Sequence, residues 1–498
     1  MDTDVLVVGA GPTGLMLAAE LALAGVRVRV VERRDERQRD SRALSLHPRS
    51  IELMDQRGIA DRFLALGRTV PGWHFAGLDT RLDFTGLDTR HPYSLFLAQS
   101  RTEELLEVRA RELGAEIRRG WEVVGLCQDK NGVELRLNGA GGTESVSARY
   151  VVGCDGGRSF LRRAAGIDFP GTDETLTGML GDFRTVDPVA VKRAPAHGVL
   201  AAPLEDGLTR FVLIDPERMR VPAAEPVTLE EFRTSLVQAC GTDWAVADPR
   251  WLSRFGNATR LAARYRSGRV LLAGDAAHIH FPAAGQGLNT GLQDAVNLGW
   301  KLAAEILGWA PAGLLDSYHD ERHPVGRAVT ENTEVQTLLM ELTLLTPYQG
   351  PAAALRRLLD GLLGVKEVNR RLAGMVTALD THYPAPAEGA DLLVGRRVPD
   401  IGLTVPGAAA TRVYELLHEG RPLHLDLTRD QASYQDPGAA HITAVAPLGH
   451  GKHPELAGVT ELLVRPDGHI AWATRVTETR ARREERADVL AAWGGSAA

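Results

Sequence analysis

The sequence predicts an α/β fold: a Rossmann-like domain with a sheet-based insertion, followed by a small α/β module at the C-terminal end. Three observations predict it. A β-branched and apolar run, Val5–Val8, enters the turn Gly9-Ala10-Gly11-Pro12-Thr13-Gly14, then a helix-forming stretch to Ala24 and a second apolar run, Val26–Val31, that ends in Glu32. Two later apolar runs also end in a turn that pairs glycine with aspartate, one at Asp155-Gly156 and one at Gly274-Asp275. Between those turns the pattern changes, with a strand-like Leu208–Ile214 and a helical Leu229–Cys240 inside residues 176–264.

The chain has 498 residues, 57 basic and 64 acidic side chains, and a net charge of −7. At roughly 150 residues per domain, that length supports about three domains, or two with one assembled from discontinuous pieces. Mild acidity argues against nucleic acid or an anionic membrane as the main partner, because either selects clustered positive charge. No run of about 18 apolar residues occurs, so no membrane span is expected. The three cysteines, Cys127, Cys154 and Cys240, are odd in number and widely spaced, which excludes a disulfide framework and a cysteine-rich metal site. Met1-Asp2-Thr3-Asp4 runs straight into the first strand without the features of a secretory signal, so a cytoplasmic location is expected.

Each element of the first unit has a physical reason. Gly9 permits the tight turn, Gly11 lets the backbone approach a pyrophosphate, and Gly14 lets the helix pack close to the sheet. The helix start then presents free N–H groups and a positive dipole end to the phosphates. Gly25 closes the helix as its C-cap. Glu32 follows Gly14 at about the 20-residue spacing of an acid that accepts from ribose hydroxyls. A dinucleotide is expected here, and this segment alone leaves NAD and FAD both open.

The second turn follows the run Arg149–Gly153 and precedes Arg158-Ser159. The third delivers Gly274-Asp275, then a loop with Pro282 and Gly285, and a helix start near Gly287. Asp155-Gly156 alone also reads as an ordinary β-turn, Asp275 as a helix cap, and Arg42 as a solvated surface arginine. His278 and His280 look like a metal pair, but no carboxylate cluster adds a third ligand and no metal is expected. Further pieces are Ser41-Arg42-Ala43 before Leu46-His47-Pro48-Arg49-Ser50, then Gln99-Ser100-Arg101-Thr102-Glu103-Glu104-Leu105, then Asp294-Ala295-Val296-Asn297-Leu298-Gly299-Trp300-Lys301-Leu302. With these, the trio of turns resembles the group A flavoprotein monooxygenases over roughly residues 1–375. The resemblance is nearest to hydroxylases that tailor aromatic polyketides, with rifamycin-type antibiotic monooxygenases beside them.

That resemblance implies FAD, held by a discontinuous FAD-binding domain of residues 1–175 and 265–383, with a substrate-binding domain at 176–264. It implies cofactor contacts at Gly9, Gly11, Pro12, Thr13, Gly14, Glu32, Arg33, Arg42, Gln99, Arg101, Val124, Asp155, Gly274, Asp275, Pro282, Gly285, Gly287, Leu288 and Asn289. Arg42 and Pro282 are expected at the reacting centre. The implied chemistry is reduction of FAD by NADPH, reaction with O2 to a flavin C4a-hydroperoxide, and transfer of one oxygen to an electron-rich aromatic ring. Baeyer–Villiger oxygenation of a related ketone shares the flavin site and stays open, and a non-catalytic flavin-binding protein is the alternative outside enzymes. The tryptophan-rich motif of flavin-dependent halogenases is not visible.

The residue types suit this chemistry. A carboxylate at a strand end, Asp275, accepts from ribityl hydroxyls. Small or polar residues 287–291 at a helix start leave N–H groups facing the flavin N1–C2=O edge, where two-electron reduction places negative charge. Ser100 with Glu103 reads as a capping box that holds its helix start against the cofactor. No second strand, glycine-rich turn and helix unit exists, and no Cys-x-x-Cys, so a two-dinucleotide disulfide reductase is excluded. NADPH is then expected at a transient surface site near Arg42 and Asp155-Gly156.

Trp73, Phe75, Phe96, Met179 and Phe211 either line the substrate face or are plain core. After Tyr383, Pro384–Gly389 reads as a linker into residues 390–498. Strands at Pro422–Leu427 and Ala440–Val445, a hairpin turn at Pro466-Asp467-Gly468 and a charged surface helix over 475–493 are expected there. In larger hydroxylases this end resembles thioredoxin. Here it holds no cysteine, which excludes thiol chemistry and leaves a structural role or a homodimer contact.

Overall fold

The computed structural model describes residues 1–40, 42–344, 348–385, 389–404, 411–428 and 441–494. Ser41, the linker residues Pro386–Glu388 and Ala440 lie outside the described residues. The chain begins with β1 (Val5–Val8), α1 (Pro12–Leu23) and β2 (Val28–Glu32). Next come α2 (Pro48–Asp55), α3 (Gln99–Glu112), β3 (Glu116–Arg119) and β4 (Tyr150–Gly153). The insertion contributes β5 (Thr177–Thr185), β6 (Leu200–Pro203), β7 (Thr209–Leu213), α4 (Leu229–Cys240) and β8 (Ala247–Gly256). It is followed by β9 (Arg266–Ser267), β10 (Val270–Leu272), α5 (Gln286–Leu307) and α6 (Ser317–Leu344).

One sheet runs in the order β9-β10-β4-β1-β2-β3. All neighbours in it are parallel except β9 with β10. Every residue of β1, β4 and β10 is buried, as expected of parallel strands covered on both faces. Helix α1 packs against both α3 and α5. Three strands distant in sequence thus end side by side, and their carboxyl ends define one sheet edge.

The second sheet is antiparallel, in the order β6-β7-β5-β8. Alternation along its strands divides the residues between two faces. Met179, Phe183, Phe211 and Leu213 pack with Phe232 and Leu236 of α4. Met179 and Phe211 are therefore core and do not line the cleft. Their neighbours in the opposite register, Leu180, Val212 and Ile214, with Trp251, pack instead toward Phe281, Ala283, Met340 and Leu344. Phe75 packs with Ala284 and Leu339, and Trp73 lies against the same cluster. Phe96 is half-buried beneath the Arg68 guanidinium.

The C-terminal module contains β11 (Leu423–Asp426), β12 (Thr443–Val445), β13 (Glu461–Val464), β14 (Ile470–Thr474) and α7 (Thr479–Gly494). Its sheet order is β12-β11-β13-β14, with β12 parallel to β11 and the other pairs antiparallel. The β13–β14 hairpin turns at Pro466–Gly468, where Gly468 takes φ +75°. Helix α7 is not simply a solvated charged helix. Arg482 and Arg486 are buried and both pair with Glu461, whose carboxylate also meets His424. A buried acid on β13 requires cations beside it, and the helix supplies them. Among the described residues, no helix is long and apolar enough to cross a membrane.

Candidate active site

The three turns meet at the carboxyl edge of the parallel sheet, where open α/β sheets bind ligands. Missing side chains let them meet. A Cβ added at Gly9 would collide with the Cys154 carbonyl, and one at Gly14 would overlap the Gly9 carbonyl. At Gly274, with φ +62°, an added Cβ would lie 2.6 Å from Thr13 Oγ1, and Gly291 also packs against that hydroxyl. Thr13 therefore joins the first turn to the third and to helix α5. Gly11 differs from these glycines: an added Cβ there meets nothing within 4 Å. It faces open space in front of α1, whose N-cap has no side-chain hydrogen bond, so the helix start is open to an anion.

Glu32 is turned toward the turn it follows. Its Oε2 accepts from Ala10 N at 2.9 Å and its Oε1 from Arg34 N at 3.0 Å. The acid expected to meet ribose hydroxyls thus braces the glycine turn, with further lone pairs left on each oxygen. Asp155 also has a local task, since its Oδ2 accepts from Phe160 N and Leu161 N at 2.7 and 3.1 Å. Its Oδ1 is buried with no partner among the described residues.

Asp275 is solvent-accessible yet walled by protein on most sides, as a residue lining a cleft is. The surrounding protein raises its carboxyl above the ordinary range, against the opposing pull of His278 and Arg42. Arg42 ties its own segment to the antiparallel sheet. Its Nη2 donates to Ser253 Oγ at 3.2 Å and to the Arg254 carbonyl at 3.3 Å, both on β8. Its own carbonyl accepts from Arg210 Nη1 at 2.9 Å, and Arg210 in turn grips Asp182.

The remaining expected contacts are more scattered. Gln99 Oε1 accepts from Ala43 N, while its Nε2 donates to Glu103 at 2.8 Å. The expected capping box does not form: the α3 N-cap is Ala98, with no side-chain cap, and Glu103 is engaged by Gln99. Ser100 lies inside the helix, two positions past the N-cap and so too late to cap it. Arg101 pairs with Glu104 and with Glu205 of the insertion. Arg33 is exposed, and Val124 is exposed on the strand Trp121–Gln128 beside the sheet.

The loop from Pro282 to Asn289 is shaped by side chains from elsewhere. Pro282 is exposed toward the cleft, and Ala284 and Gly285 take left-handed φ values of +52° and +69°. His47 is fully buried, and its Nε2 lies 2.7 Å from the Ala284 carbonyl while its Nδ1 lies 2.7 Å from Ser94 Oγ. Burial lowers the His47 imidazole to about 4, so it is neutral. The Asn289 side chain uses both ends: Oδ1 accepts from His47 N and Ser50 Oγ, each at 2.7 Å, and Nδ2 donates to the Ser45 and Gly285 carbonyls. The backbone N–H groups of Gly287 and Leu288, ahead of the first intrahelical bond, are the ones left to face a ligand at the α5 start. Leu288 itself is half-buried against the core.

Two histidines fill out the cleft. His280 Nδ1 donates to the Phe281 carbonyl at 2.8 Å, and burial lowers the imidazole to about 4. Its ring stands over Gly287, where an added Cβ would lie 3.5 Å from Nε2. His74, tilted against Trp73, is also held neutral by burial, at about 4. Among the described residues no group of three or more metal-ligating side chains converges, and His278 faces Asp294 instead. His47 and Asp294 were in view in the sequence but carried no role there. The Ala284 partner of His47 lies 237 residues along the chain, whereas those of Asp294 lie 16 to 28 residues away on other elements.

Comparison with known proteins places this arrangement. A family model described as "FAD binding domain" matches residues 2–333, and one described as "Aromatic-ring hydroxylase, C-terminal" matches residues 391–497. A rifampicin monooxygenase from Streptomyces venezuelae is 47% identical over 504 residues, covering 99% of each chain. A 12-dehydrotetracycline 5-monooxygenase/anhydrotetracycline 6-monooxygenase from Streptomyces rimosus is 45% identical over 512 residues, again covering 99% of each. The solved structure of an anhydrotetracycline hydroxylase from Streptomyces rimosus superposes with a TM-score of 0.89 at 44% identity, covering 100% of both chains.

Proposed function

The chain belongs to the FAD-dependent aromatic-ring hydroxylases and is a flavoprotein monooxygenase, and from that premise we propose that it uses NADPH and O2 to hydroxylate an aromatic polyketide-type substrate, in the making or modification of an antibiotic. The observation that carries this reading is the meeting of three turns at one sheet edge, with open ground at Gly11 and two uncapped helix starts facing the cleft. These residues fit FAD. The α1 start suits the pyrophosphate, the Asp275 carboxylate the ribityl hydroxyls, and the α5 start the flavin edge.

When bound and reduced, the flavin activates O2 and supplies one oxygen atom to an electron-rich ring. The protein's part is placement and exclusion of water. The N–H groups of Gly287 and Leu288, with the helix dipole behind them, stabilise negative charge on the reduced ring. The apolar wall of Leu180, Trp251, Phe281 and Met340 limits water at the reacting centre and offers a flat aromatic substrate its contact surface. Pro282 lets the backbone approach both flavin and substrate. Arg42, near Asp275 and Arg158, supplies positive charge for NADPH phosphates.

The finer architecture belongs to the same reading. The FAD-binding domain is residues 1–175 and 265–383, the insertion 176–264 presents the substrate wall, and 390–498 is a thioredoxin-like module without thiols. Its β12-β11-β13-β14 order supports that description. The test is to purify the protein, record the bound-flavin spectrum, and measure NADPH and O2 consumption with a panel of polyketide aglycones. Aglycone-stimulated consumption with a product heavier by one oxygen is the expected result. A bound flavin that NADPH does not reduce under any aglycone overturns it.

A further inference from the structure

A buried series of polar contacts runs from the Asp275 loop to the C-terminal module. Asp294, on α5, is wholly buried. Its Oδ2 accepts from Gly274 N at 3.0 Å and faces His278 Nε2 at 2.7 Å, so one carboxylate grips both ends of the segment that carries Asp275. Its Oδ1 accepts from Arg322 Nε at 2.7 Å. Burial alone would raise this carboxyl, but Arg322 and His278 overcome that and hold it below its ordinary range.

Arg322, also wholly buried, reaches in two further directions. Its Nη2 donates to the Thr290 carbonyl in the first turn of α5, at 3.2 Å, and its Nη1 to the Tyr383 hydroxyl at 3.1 Å. The Tyr383 ring lies 4.3 Å from that of His469, and the Arg465 guanidinium sits over it at 5.1 Å. Arg465 pairs with Glu321 through two 2.7 Å bonds, and Asp467 accepts from Asn297 and Trp300 of α5. The β13–β14 turn is thus seated on the helices that hold both the Asp275 loop and the α5 start.

We propose that Asp294 is the positioning residue of the Asp275 loop, and that the C-terminal module sets the geometry of that loop through Tyr383 and Arg322. Packing alone does not call for such an arrangement, since well-packed apolar groups serve as well or better where only stability is needed. A satisfied buried network fixes directions, and here the directions fixed are those of the Gly274 backbone N–H and the His278 imidazole. The proposal rests on the reading that FAD lies against this loop.

The test uses the full chain with Tyr383→Phe and Asp467→Asn, both close to the native shape, and with Asp294→Asn. Three quantities are read: FAD affinity of the apoprotein by quenching of flavin fluorescence, visible circular dichroism of the bound flavin, and amide hydrogen exchange over Gly274–His278. Tyr383→Phe is expected to weaken FAD binding roughly fivefold, the equivalent of one lost hydrogen bond. It should also change the flavin dichroism and speed exchange at Gly274 and His278. Asp467→Asn should act in the same direction, and Asp294→Asn more strongly; if Asp294→Asn does not fold, the other two variants decide. Variants that melt earlier but keep the parent's affinity, dichroism and exchange overturn the proposal, because that is what a purely structural role gives. An unmodified apoprotein that takes up no FAD overturns the flavin reading itself, a separate outcome.

Discussion

Two helix starts face the same cleft, and they are built by opposite means. At α1 the turn is made by what is missing: Gly9 and Gly14 let backbone lie directly on backbone, with the Cys154 carbonyl and the Gly9 carbonyl where side chains would stand. At α5 the turn is made by what arrives from elsewhere. His47 holds the Ala284 carbonyl, Asn289 ties Ser45 and Ser50 to the loop, and Asp294 anchors Gly274. The first construction is encoded in the glycine spacing of one six-residue turn, which lets that turn lie against the Cys154 backbone. The second depends on the tertiary fold.

The largest expected effect comes from breaking the first construction. Gly14→Ala places a methyl group inside the Gly9 carbonyl oxygen, and neither backbone segment can withdraw without tearing helix from sheet. The expected cost exceeds about 3 kcal/mol, beyond the usual range for an overpacked core, and FAD uptake should be lost. Gly11→Ala is the contrast. With open space at Gly11, its stability should change by less than about 1 kcal/mol, while FAD affinity falls because the methyl occupies ground meant for phosphate. Urea denaturation beside flavin-fluorescence titration checks both. Equal behaviour of the two variants would erase the distinction between a packing glycine and a ligand glycine.

The second construction should fail more gradually. Asn289→Ala removes the four hydrogen bonds of that side chain. At roughly 1 kcal/mol apiece, the expected loss is about 2–4 kcal/mol. A loss under about 1 kcal/mol in urea denaturation would mean that the loop holds its shape without its hydrogen bonds to Ser45, His47 and Ser50.

This contrast explains what was legible in the sequence. The α1 turn could be read because glycine spacing encodes backbone contact directly, and Gly9, Gly11 and Gly14 announce their roles by position. The parallel sheet followed from three apolar runs that each end in such a turn. The α5 loop could be placed, but its supports could not be read: the Asn289–His47 bond spans 242 residues and Arg49 reaches the Asp467 carbonyl across 418. The Ser100 and Glu103 capping box failed for a related reason. Its spacing was right, yet the helix began two residues earlier than a Ser100 cap requires, at Gln99, where Ala43 pins the chain. Met179 and Phe211, for which the sequence left substrate face and plain core open, pack as core against Phe232 and Leu236.

Acid should loosen the second construction before the first. His47, wholly buried and lowered to about 4 from an ordinary value of 6.5, is neutral in the fold and protonates more readily once unfolded. Its contribution is therefore intact above pH 6.5 and is lost as pH falls from 6.5 toward 4, at about 1.4 kcal/mol per pH unit. Urea midpoints taken across that window should fall more steeply for the parent than for His47→Gln. Parallel slopes would show that His47 is already charged in the fold, or that another group governs the acid response.

The smallest effect, and the finest test of the comparison, lies at Ala284. A non-glycine residue at φ +52° costs about 1–2 kcal/mol relative to ordinary helical backbone, so Ala284→Gly relieves that strain. Two terms oppose the gain. Glycine frees the unfolded chain by about 0.4–1 kcal/mol, and the buried methyl, packed with Phe75 and Leu339, forfeits about 0.8 kcal/mol. The net change should fall within about 0.8 kcal/mol of zero, readable as a nearly unchanged urea midpoint. A clear stabilisation would mean that the methyl packs poorly and the strain is imposed by His47 pulling on the carbonyl. A clear loss would mean that the methyl, like the glycines of the α1 turn, helps shape the loop locally. Near-neutrality, set beside a costly Asn289→Ala, is the pattern expected of a loop whose shape is dictated by hydrogen bonds to other parts of the fold.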